Sequence, residues 1–106
     1  VRDDIANITG GGLIENVPRI LPRNCGVEIY EGAWSEPPIF SYLQKKGRVS
    51  RKEMYRVFNM GVGMVMITAP KETNAIVKTL RQKGEPAVRI GKVVPGSPEV
   101  RILPKE

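Results

Sequence analysis

The sequence predicts an α/β (α+β) fold, a mixed sheet of about five strands packed with helices, and three observations carry that prediction. Three consecutive glycines, Gly10, Gly11 and Gly12, separate an apolar strand-like run (Ile5, Ala6, Ile8) from residues with helical spacing (Leu13, Val17, Ile20, Leu21). A continuous apolar run, Met64-Val65-Met66-Ile67, leads into Pro70 and a second helical pattern. Apolar segments of period two recur at Val27 and Ile29, at 88–90 and at 100–102. Periods of 2 and 3.6 in mixed order are the mark of a layered fold of strands and helices.

Taken in order, 4–8 reads as a short buried strand feeding the glycine turn, and 13–21 as a helix. Pro18 is expected to bend or split that helix, because proline has no N–H for the i→i−4 bond. Pro22, Arg23 and Asn24 form a stop, and Val27 and Ile29 alternating with Glu28 and Tyr30 give the next strand. Residues 32–38 are a loop, from which Pro37-Pro38 opens a helix with Ile39, Phe40 and Leu43 on one face and Gly47 as its C′ residue. Ser50 and Glu53 fit a capping box, starting a short helix that buries Met54, Val57 and Phe58. After a turn over 59–63, the run 64–67 is expected to be a central strand buried on both faces. Pro70 starts a helix to Lys83 with Ile76, Val77 and Leu80 inward and Gly84 closing it. Two last strands, 88–90 and 100–102, are joined by the turn Pro95-Gly96-Ser97-Pro98.

At 106 residues the chain is one domain or less. It opens on a strand, with Val1 rather than Met in first place, which suits a fragment of a larger domain. The apolar run 60–69 is too short to span a membrane, and the charged start has no signal-peptide pattern. Cys25 is the only cysteine, which excludes an intrachain disulfide and favours a cytoplasmic setting. Histidine is absent, so no Cys/His or Ser/His/Asp catalytic pair can be assembled, and no metal site is expected. The formal charge of +6 is densest over Lys45, Lys46, Arg48, Arg51, Lys52 and Arg56. Only Tyr42 and Tyr55 flank that cluster, too few aromatics for a base-stacking surface. A solvated basic face or a funnel for a small anion explains the charge as well, and neither nucleic acid nor membrane is expected as a partner.

The glycine turn is the candidate site. Residues without Cβ let the backbone take φ > 0 and approach a ligand closely, and the following helix start presents unpaired N–H groups. The turn is neither a Walker A loop nor a dinucleotide fingerprint, and its nearest downstream cation is Arg19. Two readings stay open: an anion site, most simply for phosphate, or a tight strand-to-helix connection with no ligand.

Two segments, Ile8-Thr9-Gly10-Gly11-Gly12-Leu13-Ile14-Glu15-Asn16-Val17-Pro18-Arg19-Ile20-Leu21-Pro22 and Glu53-Met54-Tyr55-Arg56-Val57-Phe58-Asn59-Met60-Gly61-Val62-Gly63-Met64, closely resemble signatures of the phosphoribosylformylglycinamidine cyclo-ligase (aminoimidazole ribonucleotide synthetase) family. Their order and spacing match, and so does the end of the chain, around Gly84 and Ile90-Gly91-Lys92-Val93. The resemblance implies the following. The family uses ATP and Mg2+ to close an imidazole ring: the formyl amide oxygen of formylglycinamidine ribonucleotide attacks the γ-phosphate, and the amidine nitrogen then closes on the activated carbon. An N-terminal domain supplies the nucleotide and metal site and forms the homodimer. Residues 1–106 then correspond to a partial C-terminal domain, truncated at its start, that binds neither ATP nor Mg2+ alone and is inactive by itself.

By the same resemblance Thr9, Gly10, Gly11 and Gly12 face an interdomain cleft and hold the ribotide phosphate or nearby polar atoms, with Arg19 as a further phosphate partner. Asn59, Gly61 and Gly63 shape the adjacent wall; the other reading of the two glycines is close packing of the strand against a helix, and that of Glu15, Asn16 and Arg19 is a solvated helix face. The family commonly has histidine where this chain has Asn7. Asparagine can orient a substrate but cannot shuttle a proton near neutral pH, so Asn7 is expected to act by orientation. Two other readings remain: a related ATP-dependent synthetase, such as selenophosphate synthetase or the hydrogenase-maturation dehydratase, and a basic nucleic-acid-binding α/β module.

Overall fold

A computed structural model describes residues 4–104. Strand β1 (Asp4–Asn7) runs into the glycine turn and then helix α1 (Gly12–Asn16). A 3-10 turn over Val17–Ile20 continues it, so the helix expected over 13–21 is split at Pro18, where Leu21 N–H closes back on the Pro18 carbonyl at 3.1 Å. Strand β2 (Cys25–Tyr30), helices α2 (Pro38–Gly47) and α3 (Arg51–Val57), strand β3 (Met64–Ile67), helix α4 (Pro70–Gln82) and strands β4 (Gly91–Pro95) and β5 (Val100–Leu103) follow.

The five strands divide into two sheets. β1 and β3 form an antiparallel ribbon with Ile5 opposite Met66 and Ala6 opposite Val65, and Ile8 N–H extends it to the Gly63 carbonyl at 2.9 Å. The other three are ordered β4-β2-β5, with β2 antiparallel to β4 and parallel to β5. The last two strands are therefore not neighbours; the turn between them passes over the start of β2. Gly96 N–H reaches the Asn24 carbonyl at 3.0 Å and Val27 N–H reaches the Glu99 carbonyl at 2.9 Å. A Cβ at Gly26 would lie 2.7 Å from the Ser97 oxygen, so only glycine lets the crossing strap lie this close.

Leu13, Val17, Ile29, Met54 and Met60 are the large side chains that are wholly buried, joined by Ala6, Ile8, Val27 and Tyr55. α1 lies on α3, and the inward residues of β1 and β2 close the cluster. The Ser50 hydroxyl accepts from Glu53 N–H at 3.2 Å, giving the expected N-cap. Gly84 (φ 89) ends α4 in a Schellman arrangement, with Gly84 N–H on Arg81 O and Glu85 N–H on Leu80 O.

Four expectations are corrected. β3 is not buried on both faces: Val65 and Ile67 turn inward, while Met64 and Met66 are 60% and 44% exposed on a face that α4 borders only at Ile76. Val57 is half exposed, because Met54, Tyr55 and Phe58 define the inward stripe of α3 and Val57 falls outside it. The left-handed residue after α2 is Arg48 (φ 53); Gly47 is still helical, one position too early for the C′ role. The strand expected over 88–90 begins at Gly91, since Ile90 contributes only its carbonyl to Tyr30 N–H before regular pairing starts. Ile76, Val77 and Leu80 of α4 reach only partial burial.

Candidate functional site

The three glycines have three different reasons to be glycine. At Gly12 (φ 61), a Cβ would strike the carbonyl oxygens of Tyr55 and Phe58, so this glycine lets α1 press against the end of α3. At Gly11 (φ 94) the left-handed backbone itself requires it. The Glu15 side chain also lies over this residue, in the space a Cβ would take. At Gly10 a Cβ would find nothing within 4 Å, and this residue is the open lip of the turn.

Beneath the turn lies Asn16, 3% exposed, which corrects its reading as part of a solvated helix face. Its amide nitrogen donates to the carbonyls of Thr9 (3.3 Å), Gly10 (3.2 Å) and Gly12 (2.7 Å). Its oxygen accepts from the Thr9 hydroxyl at 3.3 Å and from Arg19 Nη1 at 3.2 Å. In a trans peptide the C=O and the following N–H point in opposite directions, and the described backbone has no cis bond. Drawing these carbonyls onto Asn16 therefore turns the N–H groups of Gly10, Gly11 and Leu13 away from it, on the opposite side of the turn. The Gly12 N–H is spent on the Thr9 carbonyl at 3.0 Å, which leaves the neighbouring Gly10 and Gly11 N–H groups, with that of Leu13, as donors of the kind that line anion-binding concavities. The signal was present in the sequence: Asn16 falls on the Leu13, Val17, Ile20 stripe, a buried face on which a polar side chain needs a task.

The second wall is the turn over 59–63. The Asn59 side-chain oxygen accepts from Gly61 N–H at 2.8 Å, an Asx turn, and Val62 N–H bonds the Asn59 carbonyl at 3.0 Å. Met60 is wholly buried with φ 57, a left-handed conformation costing about 1–2 kcal/mol for a residue with a Cβ. Gly61 follows at φ 95 with Pro37 packed where its Cβ would stand. The Ile8–Gly63 bond and the contact of Gly12 with the Tyr55 and Phe58 carbonyls join the two walls.

Of the predicted site residues, Thr9, Gly10, Gly12 and Arg19 are held on Asn16, Gly11 lies within the same turn, and Asn59 and Gly61 build the adjoining turn. The Thr9 hydroxyl is turned to Asn16 beneath the turn. Asn7 stands apart: it is exposed, pairs with Met64 and shares the outer ribbon face with Ile5 and Met66. Among the described residues no hydrogen bond ties it to the glycine turn. The basic cluster is partly neutralised, since Arg51 is ion-paired with Glu31 (3.0 Å) and Glu36 (3.1 Å), and Arg56 lies 3.9 Å from Glu53. Among the described residues no three His, Cys, Asp or Glu groups converge as a metal site. No helix there is long and apolar enough to cross a membrane.

Residues 4–103 match the family model described as AIR synthase related protein, C-terminal domain. The chain is 48% identical over 93 residues to a phosphoribosylformylglycinamidine cyclo-ligase of Bacillus cytotoxicus, covering 88% of this chain and 27% of that protein. The enzyme of the same name from Bacillus mycoides is 50% identical over 93 residues, with the same coverage. That of Bordetella avium is 48% identical over 91 residues, 86% of this chain and 26% of the relative. The chain thus spans about a quarter of the length of the curated relatives it matches.

Proposed function

Because the chain belongs to the AIR synthase related protein family, as its C-terminal domain, we propose that it is the C-terminal part of an ATP-dependent cyclo-ligase. That enzyme closes formylglycinamidine ribonucleotide into aminoimidazole ribonucleotide in de novo purine biosynthesis, in the cytoplasm. The single observation that carries the reading is the Asn16-organised turn, whose outward N–H groups and neighbouring Arg19 suit the ribotide phosphate. Glu15 must swing off Gly11 to admit it, which its exposed position on α1 permits. Asn59 and Gly61 shape the adjoining wall, and Asn7 orients the formyl and amidine groups across the outer ribbon face.

Among the described residues no carboxylates converge into a set that suits Mg2+. ATP, Mg2+ and the homodimer contact are assigned to a preceding N-terminal domain. The apolar outer face of the β1–β3 ribbon, with Ile5, Met64 and Met66 exposed, is the surface such additional polypeptide would cover.

The test is a chimera in which residues 4–103 replace the matched segment of the Bacillus cytotoxicus relative. Ring closure with ATP and formylglycinamidine ribonucleotide should proceed in the chimera and stay at background with the 106-residue chain alone. Gly11→Val in the chimera should raise KM for the ribotide at least about tenfold with the fold retained. A folded chimera without activity, beside an active parent, overturns the reading.

A further inference from the structure

We propose that Arg51 is a positioning residue: it holds the 31–37 segment so that Trp34 and Pro37 fix the Met60–Gly61 corner in its left-handed form. The contacts run in series. Arg51 Nη2 bonds Glu31 at 3.0 Å, and Arg51 Nη1 bonds Glu36 at 3.1 Å and Gln44 of α2 at 3.2 Å. One planar guanidinium thus grips both ends of the loop, a two-pronged hold that lysine cannot reproduce. The same guanidinium stacks over the Tyr55 ring, 5.2 Å from its centroid, and Tyr55 meets Trp34 edge to face at 6.5 Å. Trp34 Nε1 then donates to the Met60 carbonyl at 3.0 Å, and Pro37 occupies the space beside Gly61.

Tyr55 ties this clamp to the other wall. Its hydroxyl donates to Glu31 at 3.3 Å while its backbone carbonyl abuts Gly12. Burial opposes the charge on Arg51, but the hydrogen bonds it donates to Glu36 and Glu31 outweigh this and raise its pKa, so the clamp stays charged at any ordinary pH. Met60 is the element that needs holding: a residue with a Cβ keeps positive φ only where its surroundings over-determine it. The mutual geometry stands without any ligand; its bearing on substrate rests on the function proposed above.

Trp34 is the chain's only tryptophan, so its fluorescence reports the clamp directly. In Arg51→Met, Trp34 emission should move to the red and acrylamide quenching should rise. Gly61 and Val62 amides should exchange about tenfold faster, while the Val27 amide in β2 is unchanged. Arg51→Lys should not rescue these signals. Glu36→Gln, a milder change, should move the same signals about threefold and serves if Arg51→Met does not fold. Faster exchange confined to Met54 of α3 and its C-cap Phe58, with Trp34, Gly61 and Val62 unmoved in a folded variant, overturns the proposal. These readouts need no substrate, so their failure is distinct from failure of the cyclo-ligase reading.

Discussion

Two faces of the β1–β3 ribbon meet opposite fates. On the inner face, Ala6 and Ile8 join Leu13, Met54 and Met60 in a cluster sealed by α1 and α3, with the glycine turn resting on Asn16. On the outer face, Ile5, Met64 and Met66 are 50%, 60% and 44% exposed, and α4 contributes little more than Ile76 at the edge of a groove with Ile5 and Met66. The residues are equally apolar; what differs is whether this chain supplies a partner. The inner face and its turn are packed by α1 and α3, whereas the outer face stays largely open among the described residues.

The largest expected effect lies on the inner face. Leu13→Ala or Met54→Ala should cost about 2–5 kcal/mol in urea unfolding, because each side chain is fully buried and its cavity cannot collapse freely. Met66→Ala, on the outer face, should cost under about 0.5 kcal/mol. Equal losses at the two sites would break the comparison.

Next comes Asn16→Leu, which removes the side-chain donor shared by three carbonyls, of which Thr9 O keeps the Gly12 N–H, while keeping the volume. About 1–3 kcal/mol should be lost, and the Thr9, Gly10 and Gly12 signals in an amide spectrum should broaden. Gly10→Ala, at the open lip, should be tolerated. A stable Asn16→Leu with an unchanged turn would show that α1 and α3 alone shape it.

Tyr55 gives a pH-dependent version of the same contrast. Burial first, then the Glu31 charge, push its hydroxyl up to about 12. A raised folded pKa means that the unfolded chain loses this proton first. The stability it carries is present below pH ~10 and is lost as pH climbs through about 12. Tyr55→Phe should therefore flatten the fall in unfolding free energy between pH ~10 and ~12. An identical slope in wild type and Tyr55→Phe would remove this residue from the account.

Much of this was legible from local chemistry. The glycine triplet, Pro18, the Ser50 cap and the Pro70–Gly84 helix are signals that act within one or two turns of the chain, and the structure follows them. What escaped depended on distant partners. Nothing near Met64 and Met66 says that one face of an apolar run will lack cover, and nothing near Gly12 says that α3 will press two carbonyls against it. Asn16 was half legible: its place on an apolar stripe was visible, but its task required the geometry of the turn. The two sheets, likewise, follow from which strands pair at long range, a choice that period-two patterns do not encode.

The smallest effect concerns Glu15, whose side chain lies over Gly11. Removing that charge with Glu15→Gln should strengthen phosphate binding by about fivefold, the scale of one screened charge at contact distance. An unchanged affinity would mean that the anion binds elsewhere.

The central claim is that Asn16 presents the glycine turn's N–H groups to a ribotide phosphate, and titration of the isotope-labelled chain with ribose 5-phosphate tests it most directly. The account predicts saturable amide shifts at Gly10, Gly11 and Leu13 that vanish in Asn16→Leu. Shifts centred instead on the basic stretch from Lys45 to Arg56, with the glycine turn silent, would contradict it.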